Sequence, residues 1–213
     1  MEVFLKKTVA ERLAYLFTHE GNPLNEAPAE RLARLRSYYK DCQRCPLAAE
    51  GRAQVVFGEG CPTARVLFIG EAPGKEEDLL GRPFVGRSGR LLTRMLDKLG
   101  LTRDVVYVAN TARCRPPENR QPTPEESGTC ISHILLREIN IIRPQLICTL
   151  GATATGALLD IKQSLSSLRG KIIQTEYFSI MPTYHPAYLL RNPPAQSIVE
   201  ADFLKIIAFL DGK

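Results

Sequence analysis

From Arg65 onward, short apolar runs alternate with segments that have helical spacing of apolar residues. The runs are VLFIG (66–70), VVYVA (105–109), LICTL (146–150) and FSIMP (178–182). The segments with helical spacing span 88–100, 124–142, 152–160 and 195–210. Apolar strands that alternate with helices are typical of a parallel sheet covered by helices on both faces. The sequence therefore predicts an α/β fold with a parallel sheet of four strands.

The first forty residues have a different pattern. Residues 8–18 and 29–39 repeat Leu and Tyr at helical spacing, and the turn-rich segment GNPLNEAP (21–28) separates them. We expect residues 1–40 to form a small helical extension packed on a main domain that spans residues 41–213. A chain of 213 residues is long enough for such a domain to have a substantial core.

Unusual polar loops follow three of the four predicted strands. GEAPGKEED comes after the first strand, NTARCRPPENR after the second and TYHPAYLLRNP after the fourth, whereas the third runs into the plainer GATATG. In open α/β sheets the working site lies outside the carboxyl ends of the strands. The three polar loops are therefore expected to converge on one functional site.

Composition restricts the compartment and the partners. The charged start MEVFLKKTVAERL does not resemble an export signal, and no apolar run has the length of a membrane span. We therefore expect a cytoplasmic protein, in which six cysteines indicate metal or redox chemistry rather than disulfides. The net charge of +5 is compatible with an anionic partner without identifying one. Nothing in the sequence indicates an oligomer, so a monomer is expected.

The cysteines predict a metal centre. DCQRCPL places Cys42 and Cys45 two residues apart, so one tight turn presents two sulfurs. Cys148 lies within a predicted strand and is interpreted as a core residue, and Cys61 in a turn is a spare. The favoured set of ligands is Cys42, Cys45, Cys114 and Cys130. Four thiolates bind either zinc or a [4Fe–4S] cluster, and the spacing leaves both open, with four unliganded thiols as a further alternative.

Three long motifs carry a resemblance to a known family. GEAPGKEEDLLGRPFVGRSGRLLTRML, NTARCRPPENRQPTPEE and HPAYLLRNP resemble the family 4 uracil-DNA glycosylases, the iron–sulfur members of their superfamily. The resemblance runs from about Cys42 to the C-terminus and includes the four cysteines at matching positions. It implies a three-layer α/β/α sandwich around a four-stranded parallel sheet. It also implies a [4Fe–4S] cluster with a structural role, which favours iron over zinc.

The implied activity assigns roles to three residues at or beyond strand ends. A nucleotide must be turned out of the DNA before its N-glycosidic bond is cut. Phe84 in GRPFVG offers a ring on which the flat base can stack, the role of the matching residue in the family. The side-chain amide of Asn110 matches the O4 and N3–H of uracil. His185 is expected to donate a hydrogen bond to uracil O2 as negative charge develops there.

The GEAPG turn is expected to lie against the base. Backbone N–H groups from Glu71 through Ala72 to Gly74 are predicted to assist at O2, because glycine lets the backbone approach a ligand closely. Ala72 stands where better-known uracil glycosylases of another family carry an Asp that positions the attacking water. The chain therefore lacks the obvious carboxylate for that task.

Glu71, Glu77 and Asn119 are the remaining candidates for positioning the water. By resemblance, Asn119 holds the water, and Glu77 lines the pocket near uracil C5, where it helps to exclude the methyl group of thymine. Glu76 and Asp78 are interpreted as solvated neighbours.

A one-sided charge predicts the DNA-binding surface. Residues 81–98 contain five basic side chains and one acidic side chain. Ser88 opens the helix that follows Phe84, and a helix N-terminus can receive a phosphate. Leu189, Leu190 and Arg191 are predicted to form a wedge that fills the gap left by the flipped nucleotide. The predicted DNA contacts are Arg87, Ser88, Arg115, Arg120, Leu190 and Arg191.

These expectations predict a DNA repair enzyme that acts on single- or double-stranded DNA containing uracil. The predicted reaction is monofunctional hydrolysis, which releases free uracil and leaves an abasic site. One alternative is a relative that binds uracil-DNA without turnover, for instance by covalent capture. Known covalent-capture relatives carry a basic insertion near CRPP that CRPPENRQPTPEE lacks. The other alternative is an iron–sulfur or zinc protein that serves in electron transfer or as a DNA-binding accessory.

Overall fold

A central sheet of six strands organises the chain. The computed structural model describes residues 8–19, 25–159, 163–175 and 178–212. The strands are β1 (Glu59–Gly60), β2 (Val66–Gly70), β3 (Tyr107–Asn110), β4 (Leu146–Leu150), β5 (Ile173–Gln174) and β6 (Ser179–Thr183). Their order across the sheet is β1-β3-β2-β4-β6-β5.

The four predicted strands form the parallel centre of this sheet. β3, β2, β4 and β6 pair in parallel, as the apolar runs predict, so the α/β fold class is confirmed. Two edge strands that the sequence did not predict, β1 and β5, pair antiparallel with β3 and β6 and make the sheet mixed. Each edge strand has only two residues, too few for an alternating pattern to be recognised.

Helices cover both faces of the sheet. They are α1 (Val9–His19), α2 (Pro28–Tyr39), α3 (Lys75–Leu80), α4 (Arg87–Asp97), α5 (Pro124–Cys130), α6 (Leu136–Ile142), α7 (Ala152–Leu158), α8 (Leu165–Leu168), α9 (Pro186–Arg191) and α10 (Gln196–Asp211). A π-helical segment, Ile131–Leu135, joins α5 to α6, so the predicted helix over 124–142 is continuous. Within the described ranges, no helix combines the length and the apolar character that crossing a membrane requires.

The buried side chains form one cluster on each face of the sheet, so the fold has three layers. Every residue of β2 is buried, and its side chains alternate. Leu67 and Ile69 join a cluster formed with the helical segment from Ile131 to Ile142. Phe68 joins a second cluster, in which its ring meets that of Phe203 of α10 in an edge-to-face arrangement at 5.6 Å. The sheet is therefore the middle layer of an α/β/α sandwich.

The N-terminal helices complete one of these clusters. Leu13 and Leu16 of α1, with Leu32 of α2, are buried in the same cluster as Leu67 of the sheet. The described part of the predicted N-terminal extension is therefore helical and packs on the rest. Residues 1–7 and 20–24 lie outside the described ranges, and the division of the chain at residue 40 stays a prediction.

We predict that Leu13→Ala lowers the free energy of unfolding by about 2–5 kcal/mol, because it leaves a cavity in the core that α1 shares with the sheet. Leu13 is fully buried, whereas Leu204 of α10 is 55% exposed, so Leu204→Ala is the matched control. We expect the control to change stability by less than about 0.5 kcal/mol. Urea unfolding measures both variants, and equal effects would contradict the shared core.

Candidate active site

Three parallel strands end at the edge of one cleft. β2 ends at Gly70, β3 at Asn110 and β6 at Thr183, and residues in and after these ends line a cleft of about 610 Å³. The predicted site residues that line it are Glu71, Ala72, Gly74, Glu77, Phe84, Ser88, Asn110, Asn119, Arg120, His185 and Arg191. The expected convergence of the three loops is therefore present in the structure. The individual roles of these residues stay predictions.

Phe84 is held over the end of β2 by two glycines. A Cβ atom on Gly70 would lie 2.4 Å from Cζ of Phe84 and 2.7 Å from Oδ1 of Asn110. A Cβ atom on Gly89 in α4 would lie 2.0 Å from the carbonyl carbon of Phe84. Phe84 itself has a φ of 55°, in the left-handed region that non-glycine residues seldom occupy. Such a backbone persists only where the surroundings enforce it, as they do around this ring.

Glu77 fixes the loop that carries Phe84. Its Oε1 atom accepts hydrogen bonds from the backbone N–H of Val85 at 3.0 Å and of Gly86 at 2.7 Å. The carboxylate is buried and lies beside Gly74, where an added Cβ would be 2.9 Å from Oε2. Glu77 lines the cleft as the sequence predicts, and it also positions the loop backbone next to Phe84.

The two acidic neighbours of Glu77 differ. Glu76 is exposed and pairs with Arg90 at 2.8 Å, which agrees with its interpretation as a solvated residue. Asp78 is only 4% exposed, so the same interpretation of Asp78 is wrong. Both of its carboxylate oxygens accept from the backbone N–H of Ala53 at 3.0 Å. The partner lies in a loop distant in sequence, so the local pattern gave no sign of this bond.

Asn110 presents an uncommitted amide to the cleft. It is the last residue of β3, pairs in register with Gly70 and is 2% exposed. No described residue forms a hydrogen bond with its side-chain amide. Hydrogen bonds from Thr111 N–H to Gly70 O and from Ala112 N–H to Glu71 O, both 2.9 Å, continue the strand pairing past Asn110. The backbone around the amide is thus fixed while its polar atoms are left for a ligand.

The neutral ring of His185 carries its proton on Nε2, because Nδ1 faces the start of α9. Nδ1 accepts a hydrogen bond from the N–H of Ala187 at 3.1 Å at the start of α9, so the neutral ring is protonated on Nε2. Burial, and then the positive charge of Arg191, lower the pKa of His185 to about 4. Its ring centroid lies 6.0 Å from that of Phe84, with 34° between the planes. His185 is therefore a neutral donor beside the predicted stacking ring.

Asn119 and Glu71 face the same cleft from different loops. Asn119 has a φ of 56°, and its Oδ1 accepts from Nε of Arg115 at 2.8 Å, which leaves its Nδ2–H groups available. The backbone carbonyl of Glu71 accepts from Oγ1 of Thr111 at 2.7 Å, so the first polar loop is tied to the second. Among the described residues, nothing hydrogen bonds to the Glu71 carboxylate. The structure thus places an amide and a carboxylate where a water could be held.

The predicted DNA-binding residues divide by their partners. Arg191 and Ser88 line the cleft, while Arg87 and Leu190 are exposed. Arg115 is hydrogen bonded to Asn119 as described above. These placements are compatible with DNA contacts, which the structure does not test.

Two residues predicted to lie on the DNA-binding surface have partners within the protein. The guanidinium of Arg120 pairs with Glu126 at 2.8 Å and with Glu50 at 2.9 Å, and its predicted DNA contact stays a prediction. Leu189 is fully buried in the core cluster of Phe203, so its predicted place in an exposed wedge is wrong. Both partnerships depend on tertiary packing that sequence proximity does not show.

Some cleft residues were not predicted. Pro73, Pro116, Ala187 and Tyr188 also line it. Tyr188 is 38% exposed, packs on Tyr184 at 5.0 Å between ring centroids, and accepts a hydrogen bond from Nδ2 of Asn192 at 2.7 Å. Its position three residues after His185, one turn along α9, was the signal that could have identified it.

The four predicted sulfur ligands line a second, smaller cavity. Cys42, Cys45, Cys114 and Cys130 surround it together with the side chains of Arg52 and Arg113. Cys148 is buried in β4, as predicted, and Cys61 lies outside this cavity, 3.5 Å from Oγ1 of Thr63. All six cysteines are free thiols. The sequence therefore identified the set of cysteines that the fold brings together.

The cavity chemistry fits an iron–sulfur cluster. Hydrogen bonding to Cys130 lowers the pKa of the Cys45 thiol, whereas burial raises the pKa of Cys114, to whose Sγ Nη1 of Arg52 donates at 2.9 Å. Thiolates are the form that binds metal. In the described ranges, no three Cys, His, Asp or Glu side chains are arranged to hold one metal ion. A [4Fe–4S] cluster takes four cysteine thiolates, so the four cysteines that line the cavity fit it as ligands.

Comparison with known proteins agrees with this geometry. Residues 57–210 match the family model described as the uracil DNA glycosylase superfamily. The chain belongs to the uracil-DNA glycosylase superfamily. It is 50% identical to a type-4 uracil-DNA glycosylase of Thermotoga maritima over 72% of this chain and 80% of that protein. It is 43% identical to one of Saccharolobus solfataricus over 82% and 84%, and 42% identical to one of Sulfurisphaera tokodaii over 83% and 84%.

These relatives identify the subgroup within the superfamily. They share the type-4 name, and each is matched over more than two thirds of both chains. The chain is therefore a type-4 member, which confirms the resemblance drawn from the motifs. The match to the family model begins at residue 57, after the first two cysteines. The alignments with the relatives extend over more of the chain than the family model does.

We predict that the imidazole of His185 titrates with a pKa of about 4 in the folded protein, against an ordinary value of 6.5. The unfolded chain then binds the proton more tightly, so the stability contributed by the neutral ring is lost as pH falls from 6.5 towards 4. An NMR titration of the ring signals measures this, and Arg191→Gln should raise the value. A wild-type pKa at or above 6.5 would contradict the description of the site.

We predict that Gly70→Ala displaces the Phe84 ring and lowers the free energy of unfolding by about 1–3 kcal/mol through overpacking. Gly156→Ala in α7 is the matched control, since a Cβ there would meet nothing within 4 Å. In a helix this control should be neutral or stabilising by up to about 1 kcal/mol. Chemical unfolding and a crystal structure of each variant test this, and an unmoved ring in Gly70→Ala would refute it.

Proposed function

We propose that the chain is a monofunctional uracil-DNA glycosylase of DNA repair. Water attacks C1′ of a flipped deoxyuridine, the N-glycosidic bond breaks, and free uracil and an abasic site remain. The observation that carries this proposal is the meeting of Phe84, Asn110 and His185 in one cleft. The names of the similar proteins support it. The enzyme acts as a monomer on single- or double-stranded DNA.

The uracil ring stacks on Phe84 and is read by Asn110. An aromatic face suits a flat base, and base stacking on such a ring contributes roughly 1–3 kcal/mol per base. The amide Nδ2–H donates to O4 and Oδ1 accepts from N3–H. Cytosine reverses that donor and acceptor pattern, so an amide fixed in this orientation rejects it. The Asn110 amide has no hydrogen-bond partner among the described residues, which supports this role.

Glu77 completes the selection of the base. It lines the cleft next to Gly74 and Phe84, and we place it beside uracil C5, where thymine carries a methyl group. Because two backbone N–H groups hold its Oε1 atom, the carboxylate cannot swing away without releasing the Phe84 loop. A fixed side chain at that position excludes the methyl group by steric overlap.

His185 stabilises the leaving uracil. As the glycosidic bond breaks, negative charge develops on the base, and Nε2–H of the neutral imidazole donates to O2. One preorganised donor of this kind contributes roughly 3–4 kcal/mol to the transition state. The lowered pKa keeps the imidazole neutral at physiological pH, so it stabilises the charge without losing a proton. Backbone N–H groups of Glu71, Ala72 and Gly74 add further donors.

Asn119 and Glu71 hold the attacking water. Since Oδ1 of Asn119 is engaged by Arg115, its Nδ2–H donates to the oxygen of the water. The carboxylate of Glu71, which has no hydrogen-bond partner in the described residues, accepts a proton from that water as it attacks C1′. This pair takes over the task of the Asp that the chain replaces with Ala72.

The DNA strand lies across the mouth of the cleft. Ser88, at the N-terminal end of α4, and Arg87 receive a phosphate. Arg191 and Arg115 hold the backbone on the other side, and exposed Leu190 fills the stack left by the flipped nucleotide. Arg120, tied to two carboxylates, fixes the loop in which it lies. These contacts give an affinity that falls as salt concentration rises.

Cys42, Cys45, Cys114 and Cys130 hold a [4Fe–4S] cluster. When bound, the cluster supplies a structural cross-link and no redox step of the reaction. The residues between Cys114 and Cys130 carry Asn119, and the CxxC turn lies before the sheet, so these ligands join distant parts of the chain. Six cysteines, four of them cluster ligands, fit a reducing cytoplasmic compartment.

We predict that wild-type protein purified without oxygen releases uracil from a uracil-containing oligonucleotide. Asn110→Asp, which lacks the N–H₂ group, and His185→Ala should each reduce the rate about 100- to 1,000-fold. Asn25→Asp makes the same change outside the cleft and should retain wild-type activity. Chromatography of the released base measures all four proteins.

Two results would contradict the proposal. Iron-loaded wild-type protein that leaves single-stranded uracil-DNA intact would exclude the glycosylase. DNA that stays on the protein in a denaturing gel would instead indicate covalent capture without turnover.

A further inference from the structure

The guanidinium of Arg113 is buried with two unpartnered nitrogens. Its side chain is fully buried and pairs through Nη2 with Glu138, which is also fully buried. Nε and Nη1 are shielded from solvent and have no hydrogen-bond partner. Leaving a buried donor unsatisfied costs about 1–3 kcal/mol, and more for a charged group. Among the described residues, therefore, no acceptor serves these two nitrogens.

Arg113 lies against the cysteine cavity. It precedes Cys114 and lines the cavity that the four cysteines surround. Besides the four cysteines, the cavity is lined by the cations Arg44 and Arg52 and by Val55, Thr129, His133 and Ile134, none of which is an acid. An anionic group in the cavity would satisfy both nitrogens.

Glu138 fixes the direction of the guanidinium. Its Oε1 accepts from the N–H of Gly58 at 3.2 Å and from the hydroxyl of Tyr107 at 3.2 Å. Burial, and then Glu138, raise the pKa of Tyr107, so the hydroxyl stays protonated and donates. A carboxylate held by these two donors keeps Nη2 of Arg113 in place. The planar guanidinium then presents Nε and Nη1 in a fixed orientation.

Arg52 already donates a hydrogen bond from its guanidinium to a sulfur atom of this cavity. Its Nη1 donates to Sγ of Cys114 at 2.9 Å, and its Nη2 donates to the backbone carbonyl of Cys42 at 2.6 Å. Arg52 is half-buried and finds partners within the protein alone. Arg113 differs because it is fully buried and does not. The two arginines are therefore suited to different tasks at one site.

We propose that Arg113 donates hydrogen bonds from Nε and Nη1 to sulfur atoms of the [4Fe–4S] cluster and raises its reduction potential. This inference rests on the cofactor assigned under the proposed function. Hydrogen bonds to cluster sulfurs and nearby charge are the levers by which proteins set such potentials. A buried cation favours the reduced cluster, which carries one more negative charge. Arg113 is thus a positioning residue that acts through the cluster and not on the uracil.

The test compares two variants that differ only at Arg113. Removing Arg113 alone would leave Glu138 as an unpaired buried charge, which destabilises a protein strongly. The variants are therefore Glu138→Gln, whose amide oxygen still accepts from the guanidinium and in which the anionic cluster balances its charge, and the double variant Arg113→Met with Glu138→Gln, which removes both charges. Each is purified without oxygen, assayed for iron and sulfide, and titrated electrochemically with its visible absorption recorded. The double variant should have a more negative midpoint potential and lose iron faster in air.

A third variant covers a double variant that fails to fold. Arg113→Lys keeps the charge but has a single donor atom in place of the planar fork. Its midpoint potential should lie below that of wild type. Equal potentials in the compared folded proteins, wild type and Arg113→Lys included, would overturn the inference and leave Arg113 as the partner of Glu138 alone.

The same preparations separate this inference from the proposed function. Wild-type protein that releases uracil but contains no iron would overturn the role of Arg113 while the glycosylase stands. Iron-loaded wild type that releases no uracil would overturn the glycosylase, and the comparison of potentials would still decide the role of Arg113. The readout is a potential, which a purely structural role in the core would leave unchanged.

Discussion

The parallel pairing of β2 with β3 fixes the geometry on which the site depends. This register sets Gly70 beside Asn110, and the absent side chain of Gly70 leaves the space that the Phe84 ring and the Asn110 amide occupy. A shift of one residue would turn the amide to the other face of the sheet. Because every residue of β2 and β3 is buried, the packed helices on both faces resist such a shift. The packed core thus fixes the positions of the Phe84 ring and the Asn110 amide together.

Burial has opposite consequences for the charged groups around this core. It lowers the pKa of His185, which keeps the ring a neutral donor on Nε2. Glu77 and Asp78 are buried as well, but each accepts backbone N–H groups that replace water. Of the three side-chain nitrogens of Arg113, only Nη2 has a hydrogen-bond partner among the described residues, which is the carboxylate of Glu138. Glu77 and Asp78 therefore have hydrogen-bond partners among the described residues, whereas two nitrogens of Arg113 do not.

The sequence predicted the residues whose position follows from strand ends. Asn110 and His185 could be placed because each ends or follows an apolar run, and parallel strands bring such positions to one edge. Phe84 needed the longer motifs as well, whereas the four cysteines were selected by setting aside Cys61 and Cys148, and the motifs only favoured iron over zinc. Asp78 could not be interpreted correctly, because its partner Ala53 is distant in the chain. The two-residue edge strands carry too little pattern for any local rule.

The loop after β3 joins the two centres of the molecule. Within five residues it passes from Asn110, at the uracil cleft, to Cys114, at the cysteine cavity, and it is held by the hydrogen bond from Val56 N–H to Arg113 O at 2.7 Å. The strand pairing holds Asn110, whereas Asn119 lies beyond Cys114. Under the proposed function, loss of the cluster is therefore expected to disturb Asn119 more than Asn110. The order of residues along one loop is what makes the two effects separable.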